Sequence, residues 1–243
     1  MLKLHRILFG SIVTLKAFSL VVPIVFAEAG ITPRSGLLIV LGLLMAFAGI
    51  SLALGYHPKI SAGCVLALGV LLIGLGVYNH HLYLLVVIAC ILTVGIQVDL
   101  LLKIQLTIVY GFAVLTKLND GFLSGTELHV SMVERSPLWN LVVGGEAPAA
   151  LLITLSFAAL VAEGFLAIGF WFRSTRWIAA VVGIGTHGGM LILLADTPLQ
   201  VVNLLVYGSL MVSMYLAFFS DRFKSPRRLS TTYRSKSSVS PTT

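Results

Sequence analysis

The sequence predicts an all-α membrane protein, a polytopic transmembrane bundle of about eight helices. Composition is the first indication, because 58% of the 243 residues are hydrophobic and only 10% are charged, whereas soluble domains carry about 25% charged residues. The second indication is that apolar segments of about 20 residues, enough to cross a hydrocarbon core of roughly 30 Å, recur along the chain. The short alternating strands of a membrane β-barrel are not present in the sequence.

Eight apolar segments are predicted to span the membrane, with turn and breaker residues between them. They cover 7–27, 36–55, 60–77, 82–98, 100–117, 149–171, 176–195 and 199–219. Their connections are short except for an outer loop over 118–147. Residues 1–219 are therefore predicted to form one transmembrane domain. The tail over 220–243 is basic, is rich in Ser, Thr and Pro, and is predicted to be disordered in the cytoplasm.

The distribution of charge predicts the orientation of the bundle, because basic residues collect on the cytoplasmic side. With the N-terminus inside, the cytoplasmic segments carry Lys3, Arg6, Lys59, Lys103, Arg173, Arg176 and the tail. The opposite side carries the acidic residues of the long loop. An even number of spans with both termini inside is favoured. We expect a multi-pass protein of a cell membrane, such as a bacterial inner or plasma membrane, and no nucleic-acid partner.

The first segment has features of a secretory signal, with basic residues before an apolar run and Ala27-Glu28-Ala29 after it. The run is long for a signal and contains Lys16, so we expect an uncleaved first helix. Cys64 and Cys90 lie in separate apolar segments without a CxxC pair, and we expect them to be small packing residues.

A small set of polar residues remains in the outer half of the predicted bundle: Asn79, His80, Lys117, Glu163, His187 and Asn203. Ionisable groups inside a membrane tend to face the bundle interior and to pair with one another, so these residues form the predicted site. Each has a structural alternative. Asn79 and His80 are also suited to a turn, and Lys117 to the membrane interface. Glu163 could bond His187, and Asn203 another helix.

Metal binding is not expected, because the sequence has no HxxxH, HxxE or Cys/His cluster at ligand spacing. Nucleophile elbows, phosphate loops and dinucleotide fingerprints are absent from the sequence as well. Four other histidines are predicted to lie at interfaces or in loops, without a chemical role: His5, His57, His81 and His129.

Two sequence segments, NHHLY at 79–83 and VYGFAVLTKL at 109–118, resemble motifs of the HTTM domain. This domain is the membrane part shared by vitamin K-dependent gamma-carboxylase and shorter bacterial proteins. Phe122 and Gly125 fall where the family has an aromatic residue, usually Trp, and a Gly. The segment THGGM at 186–190 resembles the family's membrane histidine segment. Thr116 stands where the carboxylase has a second lysine.

The resemblance implies a carboxylase-like (lyase-type) enzyme that uses a reduced lipid quinone of the vitamin K or menaquinol type as cofactor. In that reading Lys117 is the catalytic base that deprotonates the quinol, and His80 supports it. A desolvated lysine can supply the neutral amine that a base requires. The candidate quinol-binding residues are Asn79, Tyr110, Glu163, His187 and Asn203. Carboxylation of a docked protein is not expected, because the chain has no large extramembrane region.

Two other functions remain open on the sequence. One is a non-catalytic membrane partner in the maturation or export of a peptide, or a DoxX-like redox-associated membrane protein. The other is a transporter in which Glu163, His187 and Lys117 form a proton path. The sequence shows no internal repeat, whereas transporters usually have repeated halves with broken helices.

Overall fold

The computed structural model describes residues 2–26, 32–77, 79–142 and 145–219, and within these ranges the chain is helical with no strand. The long helices are α1 (Leu2–Val25), α2 (Pro33–Leu54), α3 (Pro58–Gly74), α4 (His80–Val94), α5 (Val98–Lys117), α9 (Ala149–Gly169), α10 (Arg176–Leu194) and α11 (Pro198–Phe219). Shorter helices lie between α5 and α9: α6 (Asp120–Leu123), α7 (Thr126–Leu128), a π-helix (His129–Glu134) and α8 (Pro137–Val142).

The prediction of a polytopic helical membrane protein is confirmed. Within the described part of the chain, six helices are long and apolar enough to cross a membrane, namely α1, α2, α5, α9, α10 and α11. Helices α3 and α4 are equally apolar but have 17 and 15 residues. Fifteen residues extend only about 22 Å, less than a typical hydrocarbon core. All eight predicted segments coincide with helices, and the number of crossings stays a prediction.

The ends of the helices follow from local turn chemistry. Thr32 caps α2 by accepting a hydrogen bond from the Ser35 amide, and Gly55 ends that helix in the left-handed conformation. Asn79 caps α4 by accepting a hydrogen bond from the His81 amide at 2.8 Å. A side-chain oxygen at this position satisfies one of the free N–H groups of the first turn. Asn79 therefore forms the turn that begins α4, which was the predicted structural alternative to a role in the site.

Helix α11 occupies the centre of the bundle, where it contacts α1, α4, α5 and α10. Its C-terminal half is almost fully buried, with Met211, Met214 and Phe218 in the core. Helices α1 and α2 form a close pair, because Gly10 and Gly49 allow the two backbones to approach each other. Small residues at helix contacts are typical of membrane bundles, where packing drives association.

The segment predicted as an outer loop is largely helical where it is described. Met132 and Trp139 pack with Leu152 of α9 in a second small apolar cluster, separate from the main core. Hydrophobic burial therefore holds this segment against the end of the bundle. The sequence did not reveal this, because helices of three to six residues are too short to establish an apolar period.

Two further predictions concern the cysteines and the chain termini. Cys64 and Cys90, expected to be small packing residues, are exposed on the surface of the bundle and are not bonded to each other. Each lies on the outward face of its helix, where thiols are as compatible with lipid as other apolar groups. The predicted signal-like site at Ala27-Glu28-Ala29 and the basic tail over 220–243 lie outside the described residues.

Candidate functional site

An ion pair joins the end of α5 to the middle of α9. Lys117 is the last residue of α5, and its Nζ lies 2.5 Å and 2.7 Å from the two carboxylate oxygens of Glu163. The Glu163 side chain is only 4% exposed, whereas that of Lys117 is 22% exposed. The pair therefore lies at the boundary between the bundle interior and its surroundings. Such a pair inside a membrane protein is a functional-site hypothesis by default.

The turn after Lys117 places an aromatic ring beside the ammonium group. Asn119 caps α6 by accepting a hydrogen bond from the Phe122 amide at 2.9 Å. The Phe122 ring is buried, and its centroid lies 5.7 Å from Lys117 Nζ, within reach of a cation–π interaction. The Asn-Asp-Gly turn thus folds α6 back over the ion pair.

A second polar group links three helices in the core. The Tyr110 hydroxyl of α5 forms a hydrogen bond of 3.0 Å with His187 Nε2 of α10. It also bonds the Tyr215 hydroxyl of α11, and all three side chains are buried. Tyr110 and Lys117 both lie on α5, seven residues apart, and so they lie on the same face of that helix. Tyr110 is thereby the residue that connects α5, α10 and α11.

Tyr207 connects this core group to the start of α4. Its ring packs edge-on against His187 at a centroid distance of 5.5 Å and also against His80 at 5.7 Å. The His81 ring lies 5.4 Å from Tyr207. His81 is buried, so its predicted place at an interface or in a loop is wrong. The N-cap at Asn79 turns the first residues of α4 toward α11, which buries this ring.

Lys16 and Asn203 form a hydrogen bond between α1 and α11, with Nζ 2.8 Å from Oδ1. Lys16 is only 2% exposed. The helix–helix alternative for Asn203 is therefore what the structure shows. In the sequence, Lys16 served only as an argument against a cleaved secretory signal. A lysine within an apolar span also indicates a functional site, and that indication was missed.

The structure brings the predicted site residues together in pairs that differ from those predicted. Glu163 bonds Lys117 and not His187, so that structural alternative is wrong. His80 is exposed and contacts His81 and Tyr207, and the two proposed catalytic residues therefore have different neighbours. Tyr207 and Tyr215 were missed. A hydroxyl-bearing ring inside an apolar span would have indicated them, since buried tyrosines need a polar partner.

The remaining histidines occupy three different environments. His5 is buried, and its Nδ1 lies 3.0 Å from the Ser213 carbonyl oxygen, so its predicted interfacial position is wrong. Its position in the first turns of α1 places it against the C-terminal half of α11. His57 is exposed at the start of α3, and His129 lies 3.5 Å from Glu134 in the π-helix. The last two positions agree with the prediction of loop or interface sites.

A cleft opens between α1, α10 and α11. Its volume is about 430 Å³, and its walls are apolar except for His187 and the serines Ser11, Ser209 and Ser213. Leu15 and Leu205 at its rim are exposed on the outside of the bundle. A cleft of this size, with apolar walls and a few polar groups, suits a small lipid-soluble ligand. His187 lines this cleft and is also the hydrogen-bond partner of Tyr110.

Among the residues that the structure describes, no group of three His, Cys, Asp or Glu side chains could hold a metal ion. The fold and the site together define an integral helical membrane protein with ionisable side chains inside its bundle. Comparison of the chain with models of protein families, with curated proteins and with solved structures finds no match.

Proposed function

We propose that the protein is a membrane enzyme that removes a proton from a reduced lipid quinone, with Lys117 as the base. The observation that carries the proposal is the Lys117–Glu163 pair, which is buried on the glutamate side and open on the lysine side. The resemblance of residues 79–83 and 109–118 to the HTTM domain adds support, because it implies the same lysine. An enclosed carboxylate beside a reachable amine is suited to proton transfer.

Glu163 gives Lys117 the two protonation forms that the proposed reaction needs. When the lysine proton passes to Glu163, the pair consists of a neutral amine and a carboxylic acid. The amine then accepts the proton of the quinol hydroxyl. The resulting ammonium stabilises the negative oxygen that the quinol keeps. Glu163 therefore sets the protonation of Lys117 without contacting the quinol.

The cleft between α1, α10 and α11 is the proposed entrance for the quinol. Its apolar walls suit a prenyl or acyl chain, and its His187 ring suits a hydrogen bond to a quinone oxygen. Tyr110 holds that ring through Nε2. The lysine itself lies on α5, the helix that carries Tyr110, so the head group would enter from α10 toward α5. In this arrangement His80 and Asn203 lie on the side of the bundle where α4 and α1 contact α11.

We further propose eight crossings with both chain ends on one side of the membrane. Arg34, at the start of α2, donates a hydrogen bond of 3.0 Å to the Leu75 carbonyl at the end of α3. The end of α3 therefore lies beside the start of α2, although α3 has only 17 residues. A bilayer can become thinner around a short helix at modest cost. The charge distribution of the loops favours the same arrangement.

The experiment that tests the enzyme function is dioxygen uptake by the purified, reconstituted protein supplied with reduced menaquinone or phylloquinone. We expect uptake with formation of the quinone epoxide, loss of uptake in Lys117→Ala and in Glu163→Gln, and wild-type uptake in Lys103→Ala. Lys103 is the matched control because it lies on the same helix with its Nζ over the Phe218 ring and outside the ion pair. Uptake no greater than that of empty liposomes with either quinol would contradict the proposal.

A second candidate is a proton-coupled transporter, favoured by the hydrogen-bonded series Tyr215, Tyr110 and His187 beside the ion pair. It predicts that Glu163→Gln stops proton entry into liposomes that contain a pH-sensitive dye, without any requirement for a quinol. A non-catalytic partner, in contrast, would tolerate both Lys117→Ala and His80→Ala in a cellular assay.

A further inference from the structure

A buried lysine lies in the middle of α1 and forms no ion pair with the residues that the structure describes. Lys16 is only 2% exposed, and its Nζ donates one hydrogen bond, to the neutral Asn203 side chain. An ammonium group has three protons to donate. In the part of the chain that the structure describes, the acidic residues in ion pairs are Glu163, with Lys117, and Glu134, with His129. Lys16 therefore has no counter-charge there, which is costly for a charge in low dielectric.

A buried histidine at the start of α4 forms no side-chain hydrogen bond with any residue that the structure describes. His81 is only 4% exposed, and neither of its ring nitrogens has a hydrogen-bond partner among the described residues. Nearly all buried polar groups in folded proteins have such a partner. An imidazole carries one N–H donor when neutral and two when protonated. The ring therefore offers at least one donor that no described residue uses.

Helix α11 brings these two groups to the same place. Asn203 and Tyr207 are four residues apart, and so they lie one turn apart on one face of α11. Asn203 bonds Lys16, and Tyr207 contacts the rings of both His80 and His81. The unused donors of α1 and α4 thus converge beside one turn of α11.

We propose that Lys16, Asn203 and His81 form a binding site for a small monovalent anion, such as chloride or a simple carboxylate. Lys16 supplies the opposite charge, and His81 supplies an N–H donor. The Asn203 oxygen already accepts from Lys16, so its amide nitrogen is left to donate. A site of donors and one ammonium, without a carboxylate, favours an anion over a cation or a metal ion. His80 lies at the exposed edge of this site.

The direct test is equilibrium dialysis of the protein in detergent with radiolabelled formate, with chloride as a competitor and gluconate to hold the ionic strength constant. We expect saturable binding by the wild type and at least tenfold weaker binding by Lys16→Met and by His81→Phe. Lys103→Met is the matched control, since it removes the same charge elsewhere and should bind as the wild type does. Absence of saturable binding to the wild type would overturn the proposal.

A second variant keeps the test decisive if Lys16→Met does not fold. Asn203→Asp supplies a carboxylate at the position that already bonds Lys16, and so replaces the anion with a built-in charge. We expect Asn203→Asp to raise the Tm in gluconate, to remove the Tm increase that chloride and formate give the wild type, and to abolish formate binding. An Asn203→Asp protein that still binds formate, or whose Tm still rises with chloride as in the wild type, would contradict the site.

Discussion

The Lys117 ammonium bonds both carboxylate oxygens of Glu163, across the contact between α5 and α9. One residue ends its helix and the other lies well inside its own, so the pair bridges the edge and the interior of the bundle. This geometry carries the proposed function, because it makes one lysine both reachable from outside and coupled to a buried proton acceptor. It also makes the pair a structural element of the bundle.

The first prediction concerns the strength of this pair. Glu163→Gln and Lys117→Met each leave one partner uncompensated, and each should lower the free energy of unfolding by about 2–4 kcal/mol, somewhat less than a fully buried pair because Lys117 is partly exposed. The double variant Lys117→Met/Glu163→Gln should lose less than the sum of the single losses. Unfolding by SDS in bicelles measures these values. Additive losses would show that the two side chains do not interact.

The second prediction concerns the hydroxyl of Tyr110. Tyr110→Phe removes the hydrogen bonds to both His187 and Tyr215, whereas Tyr215→Phe removes only one. Hydrogen bonds between membrane helices contribute about 0.6 kcal/mol on average, so Tyr110→Phe should be the more destabilising of the two. Tyr83→Phe is the control, because that tyrosine is exposed. Equal stability of the Tyr110 and Tyr83 variants would argue against the core network.

The third prediction concerns the contact between α1 and α2. A methyl group at Gly49 would lie 2.8 Å from the Gly10 carbonyl oxygen, and backbone atoms cannot move aside easily. Gly49→Ala should therefore destabilise the protein by about 1–3 kcal/mol. Gly185→Ala is the matched control in α10, where the added methyl group meets no other described part of the protein within 4 Å. A lower Tm for Gly49→Ala alone is the expected result, and equal effects would contradict the close packing.

The fourth prediction tests the proposed crossings by cysteine labelling in intact cells, with Cys64 and Cys90 replaced by serine. A membrane-impermeant maleimide should label Val77→Cys and Ser124→Cys, which lie after α3 and α6. Arg173→Cys, between α9 and α10, should react only after the membrane is permeabilised. If Val77→Cys resists labelling while Ser124→Cys reacts, the α3–α4 pair enters the bilayer without crossing it.

The sequence alone determined where the long helices lie. Apolar length, prolines at helix starts and glycines at helix ends are local features, and the eight predicted segments coincide with the eight long helices. The sequence also identified Lys117, Glu163 and His187 as unusual, because a charged or polar side chain in an apolar run is costly wherever the helix is placed.

Only the tertiary structure decided which of these side chains meet. Lys117 is 46 residues from Glu163, and Lys16 is 187 residues from Asn203. Their contacts depend on how each helix is rotated about its axis and on which helices are neighbours. Apolar residues surround each helix on all sides, because lipid and the bundle interior accept the same residues. The sequence therefore does not show which face of a helix is buried. For that reason the sequence could name the polar side chains of the site, while the packing around α11 assigned their partners.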